Sequence, residues 1–258
     1  MPTFLFDKII FGPVWSRRLG ESLGINLLPV NRKVCTFNCI YCECGLTPAD
    51  TAQTGFPDAK LVLELLEEKL TKMKAEGQYL NSITFAGNGE PTLHPQFPMI
   101  LDESIGIRNR FYPEANITVL SNATTSSNPK ILKALLKADL NILKLDSAVE
   151  KTLKLINCPA AGFNLRNLIN SLKLFKGKLV IQTLFFRGHY LGVKIDNTTE
   201  VEVSAWIAAL SKIKPESVMI YSLARDTAVE GLDAVGFEEL KAIAEKAEES
   251  GFRTQVTP

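Results

Sequence analysis

The chain has 258 residues, enough for one large domain or two small ones, and 46% of them are apolar, which supports a substantial core. Its 29 basic and 28 acidic residues leave a net charge of +1, so composition argues against a strongly electrostatic nucleic-acid surface. No signal-peptide pattern and no apolar run of membrane-spanning length is visible, and we expect a cytoplasmic location.

Short β-rich runs alternate with amphipathic helical runs along the chain. The first helix has a capping Asp58, an apolar face of Leu61, Leu65, Leu66, Leu70 and Met73, and an end near Gly77. In chain order the pattern predicts a strand at 24–28, the Asp58 helix, a strand at 82–85, a helix at 96–106, a strand at 117–120, a helix at 128–137, a strand at 142–145, a helix at 164–175, a strand at 179–184, a helix at 199–213, a strand at 217–221, a helix at 236–250 and a seventh or edge strand at 252–256.

Repeated β–α units predict an α/β fold with a parallel sheet and right-handed crossovers. A full eight-stranded barrel needs about 250 residues for itself. We therefore predict a partial (β/α)6 TIM-type barrel over residues 24–258, with residues 1–23 as an N-terminal extension of the same single domain. Residues 4–19 are expected to form a short hairpin against the barrel.

Three cysteines, Cys35, Cys39 and Cys42, follow the first predicted strand with the spacing Cys-x3-Cys-x2-Cys and an aromatic residue, Tyr41, before the third. Thiolates are the usual ligands of iron–sulfur clusters, and three of them leave one iron of a four-iron cluster free. A structural zinc site is the weaker alternative, since zinc wants four ligands and Cys44 is too close to Cys42 for a usual knuckle. Disulfides are also disfavoured, because this long chain does not resemble a secreted scaffold.

Polar residues collect at the predicted carboxyl ends of the strands, which share one face of a parallel barrel. They are the three cysteines after the first strand, Gly87, Asn88, Gly89 and Glu90 after the second, Asn122 after the third, Lys144 and Asp146 at the fourth, Arg187 and His189 after the fifth, and Ser222 and Arg225 after the sixth.

Structural alternatives remain open for several of these residues. The Gly87 segment could be only a turn, and Asn122 could be a helix cap. Lys144 and Asp146 could be an ion pair, although residues two apart on a strand share a face. His94 is more often a satisfied loop histidine, and Cys158 a bystander thiol.

The cysteine spacing, the segment 85–95 and the opening segment 11–26 together resemble the radical S-adenosylmethionine (SAM) superfamily. The similarity is to a bacterial group related to wyosine-synthesising tRNA enzymes and, more distantly, to molybdenum-cofactor cyclases. It also includes the segments 119–122, 143–146, 181–183 and 220–225 and so runs over nearly the whole chain.

The resemblance implies a [4Fe–4S] cluster held by Cys35, Cys39 and Cys42, with SAM on the fourth iron. Gly87, Asn88, Gly89 and Glu90 would receive the SAM ammonium, and Tyr41, Asn122 and Asp146 would also contact the cofactor. Reductive cleavage of SAM would generate a 5′-deoxyadenosyl radical that abstracts hydrogen from a substrate. Lys144, Asp146 and Arg225 are the candidate catalytic residues on the substrate side.

The chain departs from the family pattern at two points. No cysteine precedes Cys35, whereas wyosine enzymes carry further cysteines there for a second cluster. The family's glycine after Asn122 is Ala123 here, which predicts an altered turn.

The substrate class follows from the charges expected on the site face. Separate cations, Arg17, Arg18, Lys144, Arg187 and Arg225, suit a small anionic metabolite or a short peptide better than tRNA. A flavodoxin or ferredoxin would supply the electron, and no membrane partner is expected. A tRNA-modifying enzyme and a non-catalytic cluster protein that binds SAM remain alternatives.

Overall fold

The computed structural model describes residues 4–48 and 54–257, so residues 1–3 of the predicted extension lie outside the described residues. The elements in chain order are β1 (Ile10–Ser16), β2 (Gly20–Ile25), α1 (Ala59–Ala75), β3 (Ser82–Phe85), a 3-10 turn (Pro91–Leu93), α2 (Phe97–Phe111), β4 (Asn116–Ser121), α3 (Pro129–Leu135), β5 (Leu140–Lys144), α4 (Glu150–Asn157), α5 (Leu165–Lys173), β6 (Val180–Leu184), β7 (Phe186–Tyr190), β8 (Val193–Asp196), α6 (Glu200–Ile213), β9 (Ser217–Tyr221), β10 (Leu232–Ala234), α7 (Phe237–Glu249) and β11 (Thr254–Thr257).

The main sheet has eight strands in the order β1-β2-β3-β4-β5-β6-β9-β11. All neighbours from β2 to β11 are parallel, and β1 pairs antiparallel with β2 at one edge. Residues from every strand of this sheet line one cavity, so the sheet curves into an open half-barrel. The predicted partial barrel is confirmed, and the last β-rich run is an edge strand beside β9.

Central strands such as β3 and β6 are buried on both faces, as parallel barrel strands are. In β3, Ile83 and Phe85 point outward into the main core, while Ser82 and Thr84 point inward. Inward hydroxyls hydrogen-bond across strands, with Thr84 Oγ1 2.7 Å from Ser22 Oγ and Ser82 Oγ 2.8 Å from Thr118 Oγ1. Each buried hydroxyl therefore has a partner, and the wall formed by β2, β3 and β4 stays polar.

Helix α1 illustrates how the outer layer forms. Asp58 caps it by accepting hydrogen bonds from the amides of Lys60 and Leu61. Its buried stripe is Ala59, Val62, Leu66, Leu70 and Met73, so the predicted Leu61 and Leu65 are wrong and Ala59 and Val62 belong to it instead. Leu61 is 43% exposed because it falls between Ala59 and Val62, off the stripe that the three- and four-residue spacing defines.

The predicted N-terminal hairpin is present, but its second strand is the first barrel strand. Strand β2 starts at Gly20, four residues before the predicted start, and ends at Ile25. Hydrogen bonds to β1 extend it into the supposed extension, with the register shifting between Phe11 and Val14. The boundary at residue 24 is therefore wrong for physical reasons: pairing with β1, rather than apolar content, sets where β2 begins.

Helix α4 and a second sheet, ordered β10-β7-β8, were missed by the sequence pattern. The segment around Arg187, predicted as a loop on the site face, is strand β7, the centre of this sheet. Its partners are β8, the next strand of the same hairpin, and β10, which lies more than forty residues later. Local periodicity in the sequence therefore does not predict this strand. Phe186 and Ile195 of this sheet pack with Phe37, Ile40 and Tyr41 and so support the cysteine segment from behind.

Candidate active site

One cavity of about 490 Å³ opens at the carboxyl ends of the barrel strands. Cys35, Cys39, Cys42 and Cys44 all lie on its wall. The residues shared with the sequence predictions are Arg17, Arg18, Cys35, Cys39, Tyr41, Cys42, Gly87, Gly89, Glu90, Asn122, Lys144, Ser222 and Arg225. The tertiary fold thus brings most of the predicted site residues to one place, as the parallel-barrel argument requires.

Backbone hydrogen bonds hold the cysteine segment at both ends. The amide of Val34 donates to Asn88 O at 2.9 Å, and the amide of Glu90 donates back to Val34 O at 3.0 Å. On the other side, the amides of Asn38 and Ile40 donate to carbonyls at the end of α4. This segment has little regular structure of its own, so these contacts determine where the thiols lie.

Each of the three motif thiols has polar donors beside it. Cys35 Sγ accepts from the Phe37 amide at 3.4 Å and from Asn122 Nδ2 at 3.5 Å. Cys39 Sγ accepts from Asn157 Nδ2 at 3.3 Å. Such donors stabilise sulfur in its thiolate form, which is the form that binds metal.

The electrostatics differ among the thiols. Burial raises the pKa of Cys35 to about 12 and also raises the pKa of Cys39. A hydrogen bond from Cys44 lowers the pKa of Cys42 to about 5 despite burial, and the Lys33 ammonium lowers it further. Burial works against the Lys33 charge, but the surrounding thiols raise its pKa overall, so Lys33 stays a cation inside the site.

The donor set fits an iron–sulfur cluster better than a single ion. A structural zinc ion would need four ligands at about 2–2.3 Å, and no group of even three His, Cys, Asp or Glu side chains within residues 4–48 and 54–257 is arranged to hold one. In a cluster each cysteine binds a different iron atom, so the sulfurs need not converge on one point. Three thiols on one wall, each with donors and with a buried cation nearby, match that requirement.

The glycines after β3 are required by the packing of the protein itself, and their contact with SAM stays a prediction. A Cβ on Gly89 would lie 1.9 Å from the Val34 carbonyl oxygen, and one on Gly87 would lie 2.3 Å from Asn26 Oδ1. Both have φ in the region that favours glycine, +134° and +149°. They permit close packing against the protein's own cysteine segment, and both still line the cavity.

Asn88 is held by contacts within the protein, and its contact with the SAM ammonium stays a prediction. Its side chain is fully buried, donates to Phe6 O and Pro29 O at 2.9 Å each, and accepts from the Phe6 amide. Its backbone groups are used by Asn26 and Val34. With all its polar groups occupied and no place on the cavity wall, Asn88 is a structural residue of this loop.

Glu90 lies on the cavity wall with its carboxylate held by the protein. Oε1 accepts from Thr92 Oγ1 at 2.5 Å, from the Thr92 amide and from Ser121 Oγ at 2.8 Å, and Oε2 accepts from the Asn122 amide at 2.7 Å. Burial raises its pKa, while these hydrogen bonds oppose the shift. Oε2 has one protein donor, so contact with a SAM ammonium stays a prediction.

The turn after β4 holds its alanine in a conformation that favours glycine. Ala123 adopts φ +61°, in the left-handed region. Asn122 Nδ2 donates to Thr36 Oγ1 at 2.8 Å as well as to Cys35, and its Oδ1 accepts from the Thr124 amide. Asn122 therefore joins the β4 turn to the cysteine segment on the cavity wall.

Tyr41 and Asp146, predicted to contact the cofactor, form one buried network with the catalytic candidate Lys144. Lys144 Nζ donates to Tyr41 Oη at 2.6 Å and lies 3.4 Å from Asp146 Oδ2. Asp146 also accepts hydrogen bonds from Tyr41 Oη, from Asn157 Nδ2 at 2.6 Å and from the Leu184 amide at 3.1 Å. Asp146 is absent from the cavity wall and lies behind Tyr41 and Lys144, so its catalytic and cofactor-binding roles stay predictions.

The remaining predicted residues divide by location. Arg225 lies exposed on the cavity rim with Nη1 2.7 Å from Glu43 Oε2. Arg187 is off the cavity and binds Asp196 and Glu239, so its predicted place at the site is wrong. His94 hydrogen-bonds the Pro57 carbonyl and the Gln96 amide, as expected of a loop histidine with a structural role. Cys158 ends α4 and is also off the cavity wall.

Sequence reasoning missed Lys33, Asn157 and Gln182 as site residues. Lys33 sits two residues before the cysteine motif, and a basic residue there is a signal that could have been read. Asn157 belongs to the unpredicted helix α4, so its approach to Cys39 depends on tertiary contacts alone. Gln182 occupies an inward position of β6, where the alternation of the strand places it beside Lys144.

Comparison with known proteins agrees with this site. A family model described as the radical SAM superfamily matches residues 33–189, more than half of the chain and the part that contains the three cysteines. A UPF0026 protein of Synechocystis is 32% identical over 219 residues, covering 82% of this chain and 74% of that protein. This chain belongs to the radical SAM superfamily of enzymes, whose members use SAM together with an iron–sulfur cluster.

Other relatives are longer than this chain. A Brachyspira hyodysenteriae protein named GTPase Obg is 31% identical over 241 residues, which is 92% of this chain and 33% of that protein. A UPF0026 protein of Helicobacter pylori is 30% identical over 183 residues, 70% of this chain and 57% of that protein. The chain thus spans about a third of the first protein and a little over half of the second.

Solved structures share the fold at low identity. A radical SAM methyltransferase from Sphaerobacter thermophilus aligns with a TM-score of 0.67 at 13% identity, over 92% of this chain and 65% of that one. TYW1 with a bound lysine–pyruvate adduct aligns with a TM-score of 0.65 at 14% identity, over 88% of this chain and 73% of that one. No described helix is long and apolar enough to cross a bilayer.

Proposed function

We propose that this chain cleaves SAM reductively at a [4Fe–4S] cluster and uses the resulting radical to abstract a hydrogen atom from its substrate. The observation that carries the proposal is the meeting of Cys35, Cys39 and Cys42 with Gly87, Glu90 and Asn122 on the wall of a single cavity. When bound, the reduced cluster supplies the electron that splits SAM into methionine and a 5′-deoxyadenosyl radical. The chain's own residues would bind the cluster and SAM and exclude water.

Those residues hold charges and exclude water. The three thiolates would bind three irons, stabilised by the donors on Asn122 and Asn157 and by the buried ammonium of Lys33. Glu90 would accept the SAM ammonium on its less occupied oxygen, Oε2. The apolar backing of the cysteine segment and the closed floor of the barrel keep bulk water from the reacting atoms.

The test is anaerobic reconstitution followed by reduction with dithionite in the presence of SAM. We expect 5′-deoxyadenosine to form with the wild-type chain and to disappear in Cys35→Ala, Cys39→Ala and Cys42→Ala. Cys158→Ala serves as the matched control, because its thiol lies off the cavity wall. A cluster-loaded wild type that binds SAM and yields no 5′-deoxyadenosine would favour the non-catalytic alternative.

We further propose a small anionic metabolite or short peptide as substrate, because basic side chains line the cavity while the chain as a whole is nearly neutral. A flavodoxin or ferredoxin would provide the electron, in the reducing cytoplasm that an exposed cluster requires. A wyosine-type tRNA modification is the second candidate, supported only by the resemblance in fold to TYW1. Submicromolar tRNA binding that weakens steeply with salt would favour it.

The name of the Brachyspira relative does not extend to this chain. Phosphate binding by a GTPase depends on a loop of the form Gly-x4-Gly-Lys-Ser/Thr, and no segment of this sequence has that form. We therefore propose no nucleotide triphosphatase activity for the residues described here.

A further inference from the structure

Five basic side chains line the cavity, and they differ in whether their charge is already neutralised. Lys144 is paired with Asp146, Arg225 is paired with Glu43, and Lys33 is held by the Gly45 carbonyl and the thiols. Arg17 has an interaction partner as well. Arg18 is different: within the described part of the chain it forms no ion pair.

The position of Arg18 makes its lack of a counter-charge notable. Its guanidinium lies over the ring of Tyr221, 4.8 Å from the centroid, and its Nη1 atom is buried with no hydrogen-bond partner. The two acidic side chains on the cavity wall are both engaged, Glu43 with Arg225 and Glu90 with its four donors. Leaving a buried charged donor unsatisfied is costly, so an acceptor from outside the chain fits this place.

Two further donors line the same cavity as Arg18. Gln182 lines the cavity opposite Lys144 in register, and its side-chain amide has no hydrogen-bond partner among the described residues. The Tyr221 hydroxyl is also unpartnered there, and burial raises its pKa, so it keeps its proton and can donate. The charges of Lys144 and Arg18 both act on Tyr221, which places these groups around one region.

This region adjoins the cysteines, since Cys39 and Lys144 both act electrostatically on Tyr221, but Arg18 enters it from another part of the sheet. Arg18 lies on the turn between β1 and β2 at one edge of the sheet, and Thr257 at the opposite edge is in register with Tyr221. The half-barrel is open between these edges, and Trp15, 72% exposed, lies on the same rim. A substrate could therefore enter sideways between β1 and β11 while SAM occupies the end near Gly87 and Glu90.

Resting on the proposed function, we infer that Arg18, Gln182 and Tyr221 form the subsite for an oxyanion of the substrate, a carboxylate or a phosphate. Arg18 donates two parallel hydrogen bonds to the anion, as its planar fork allows, and Gln182 and Tyr221 each donate one. The substrate is then a small molecule whose terminal anionic group is held beside Tyr221, with its reacting carbon toward the cysteines.

The experiment measures binding of two probe anions, inorganic phosphate and glutarate, by calorimetry on the cluster-reconstituted chain saturated with SAM. We expect at least one to bind the wild type, and glutaramide, the neutral analogue of glutarate, to bind at least tenfold more weakly than glutarate. A preference between the two anions distinguishes a phosphate from a carboxylate. Arg18→Gln should weaken binding at least tenfold, and Arg18→Lys should recover part of the loss because it keeps the charge. Arg110→Gln, an exposed ion-paired arginine on α2, is the matched control for net charge.

A second variant tests the same subsite without changing the β1–β2 turn, where substitution of Arg18 could disturb folding. Gln182→Glu places a carboxylate from the protein itself in the proposed subsite, so it should abolish probe binding while the thermal midpoint is retained. Failure of both anions to bind the wild type, or wild-type affinity in Arg18→Gln, would overturn the inference. Probe binding that disappears as SAM saturates the chain would also overturn it, since Arg18 would then hold the SAM carboxylate. Production of 5′-deoxyadenosine by the wild type is scored separately, so failure of the proposed function is visible independently.

Discussion

Tyr41, inside the cysteine motif, donates its hydroxyl hydrogen bond to the buried carboxylate of Asp146, 105 residues later in the sequence. Lys144 donates to the same tyrosine oxygen, and Asn157 joins Asp146 to Cys39. The cysteine segment is thereby tied to β5 and to the end of α4. The contact is polar, buried and long-range, so its loss should affect both stability and the ability to retain iron.

Tyr41→Phe removes the hydroxyl and leaves Lys144 and Asp146 each short of one partner. We expect it to lower the free energy of unfolding by about 1–3 kcal/mol, the cost of unsatisfied buried polar groups. Urea denaturation of the apo chain and iron analysis after reconstitution measure the two effects. Tyr79→Phe, whose ring is 70% exposed, should change stability by less than about 0.5 kcal/mol. Equal effects of the two substitutions would contradict the role of the network.

Glu90→Ala should weaken SAM binding by about tenfold or more, because a charge-assisted hydrogen bond contributes about 1.5–3 kcal/mol. The structure adds a second effect: the donors on Thr92, Ser121 and Asn122 lose their acceptor. Glu90→Gln keeps one acceptor oxygen and should recover part of the stability but little of the affinity. Calorimetry with SAM and thermal unfolding separate these effects, and unchanged affinity in both variants would exclude contact with the SAM ammonium.

Cys44 and Cys158 are expected to be dispensable for the cluster. The motif provides three thiolates, and SAM completes the fourth iron, so the double replacement by serine should retain about four irons per chain. Cys44 does hydrogen-bond Cys42, so a shift in the cluster's absorption or reduction potential is compatible with the prediction. Loss of iron to well under four per chain would instead indicate a fourth protein ligand.

Gly89→Ala should be among the most damaging small substitutions in the chain. Its Cβ would lie 1.9 Å from the Val34 backbone oxygen, so the cysteine segment must move away from the β3 loop. Gly162→Ala is the matched control: Gly162 also has positive φ, but nothing lies within 4 Å of its Cβ position. We expect Gly162→Ala to cost about 1–2 kcal/mol from backbone strain alone, and Gly89→Ala to cost more and to reduce iron content. Similar losses in both would show that packing at Val34 is unimportant.

The environment of His94 leads us to expect that the free energy of unfolding depends on pH. Its Nδ1 accepts from the Gln96 amide and its Nε2 meets the Pro57 carbonyl, so the neutral ring is the form that fits. Burial lowers its pKa from the ordinary value of 6.5. Since the folded pKa lies below the unfolded one, this stabilisation is fully present above pH 6.5 and is lost as the pH falls through the folded pKa. Denaturation of wild type and His94→Gln between pH 7.5 and 5.5 should show the steeper decline in the wild type, and parallel curves would contradict it.

Local sequence determined the elements whose signals are local. The cysteine spacing, the alternation of β-rich and helical runs and the Asp58 cap are each properties of short segments, and the parallel half-barrel and the shared site face follow from them. The exact ends of the strands, and which strands pair, were harder to predict from the sequence. Strand β2 begins at Gly20 because β1 pairs with it, and β7 exists because β8 and β10 supply its hydrogen bonds.

The roles of individual site residues were decided by tertiary structure. Sequence placed Asn88, Asp146 and Glu90 on the correct face, since each follows a barrel strand. The sequence did not reveal that the side-chain amide of Asn88 donates to the carbonyls of Phe6 and Pro29, or that Asp146 lies behind Tyr41 and Lys144. A motif specifies which side chains arrive at the end of a strand, whereas their free donors and acceptors depend on what distant segments bring against them. The unpaired charge of Arg18 is of that kind, because only the folded chain shows which of its cations already have a counter-charge.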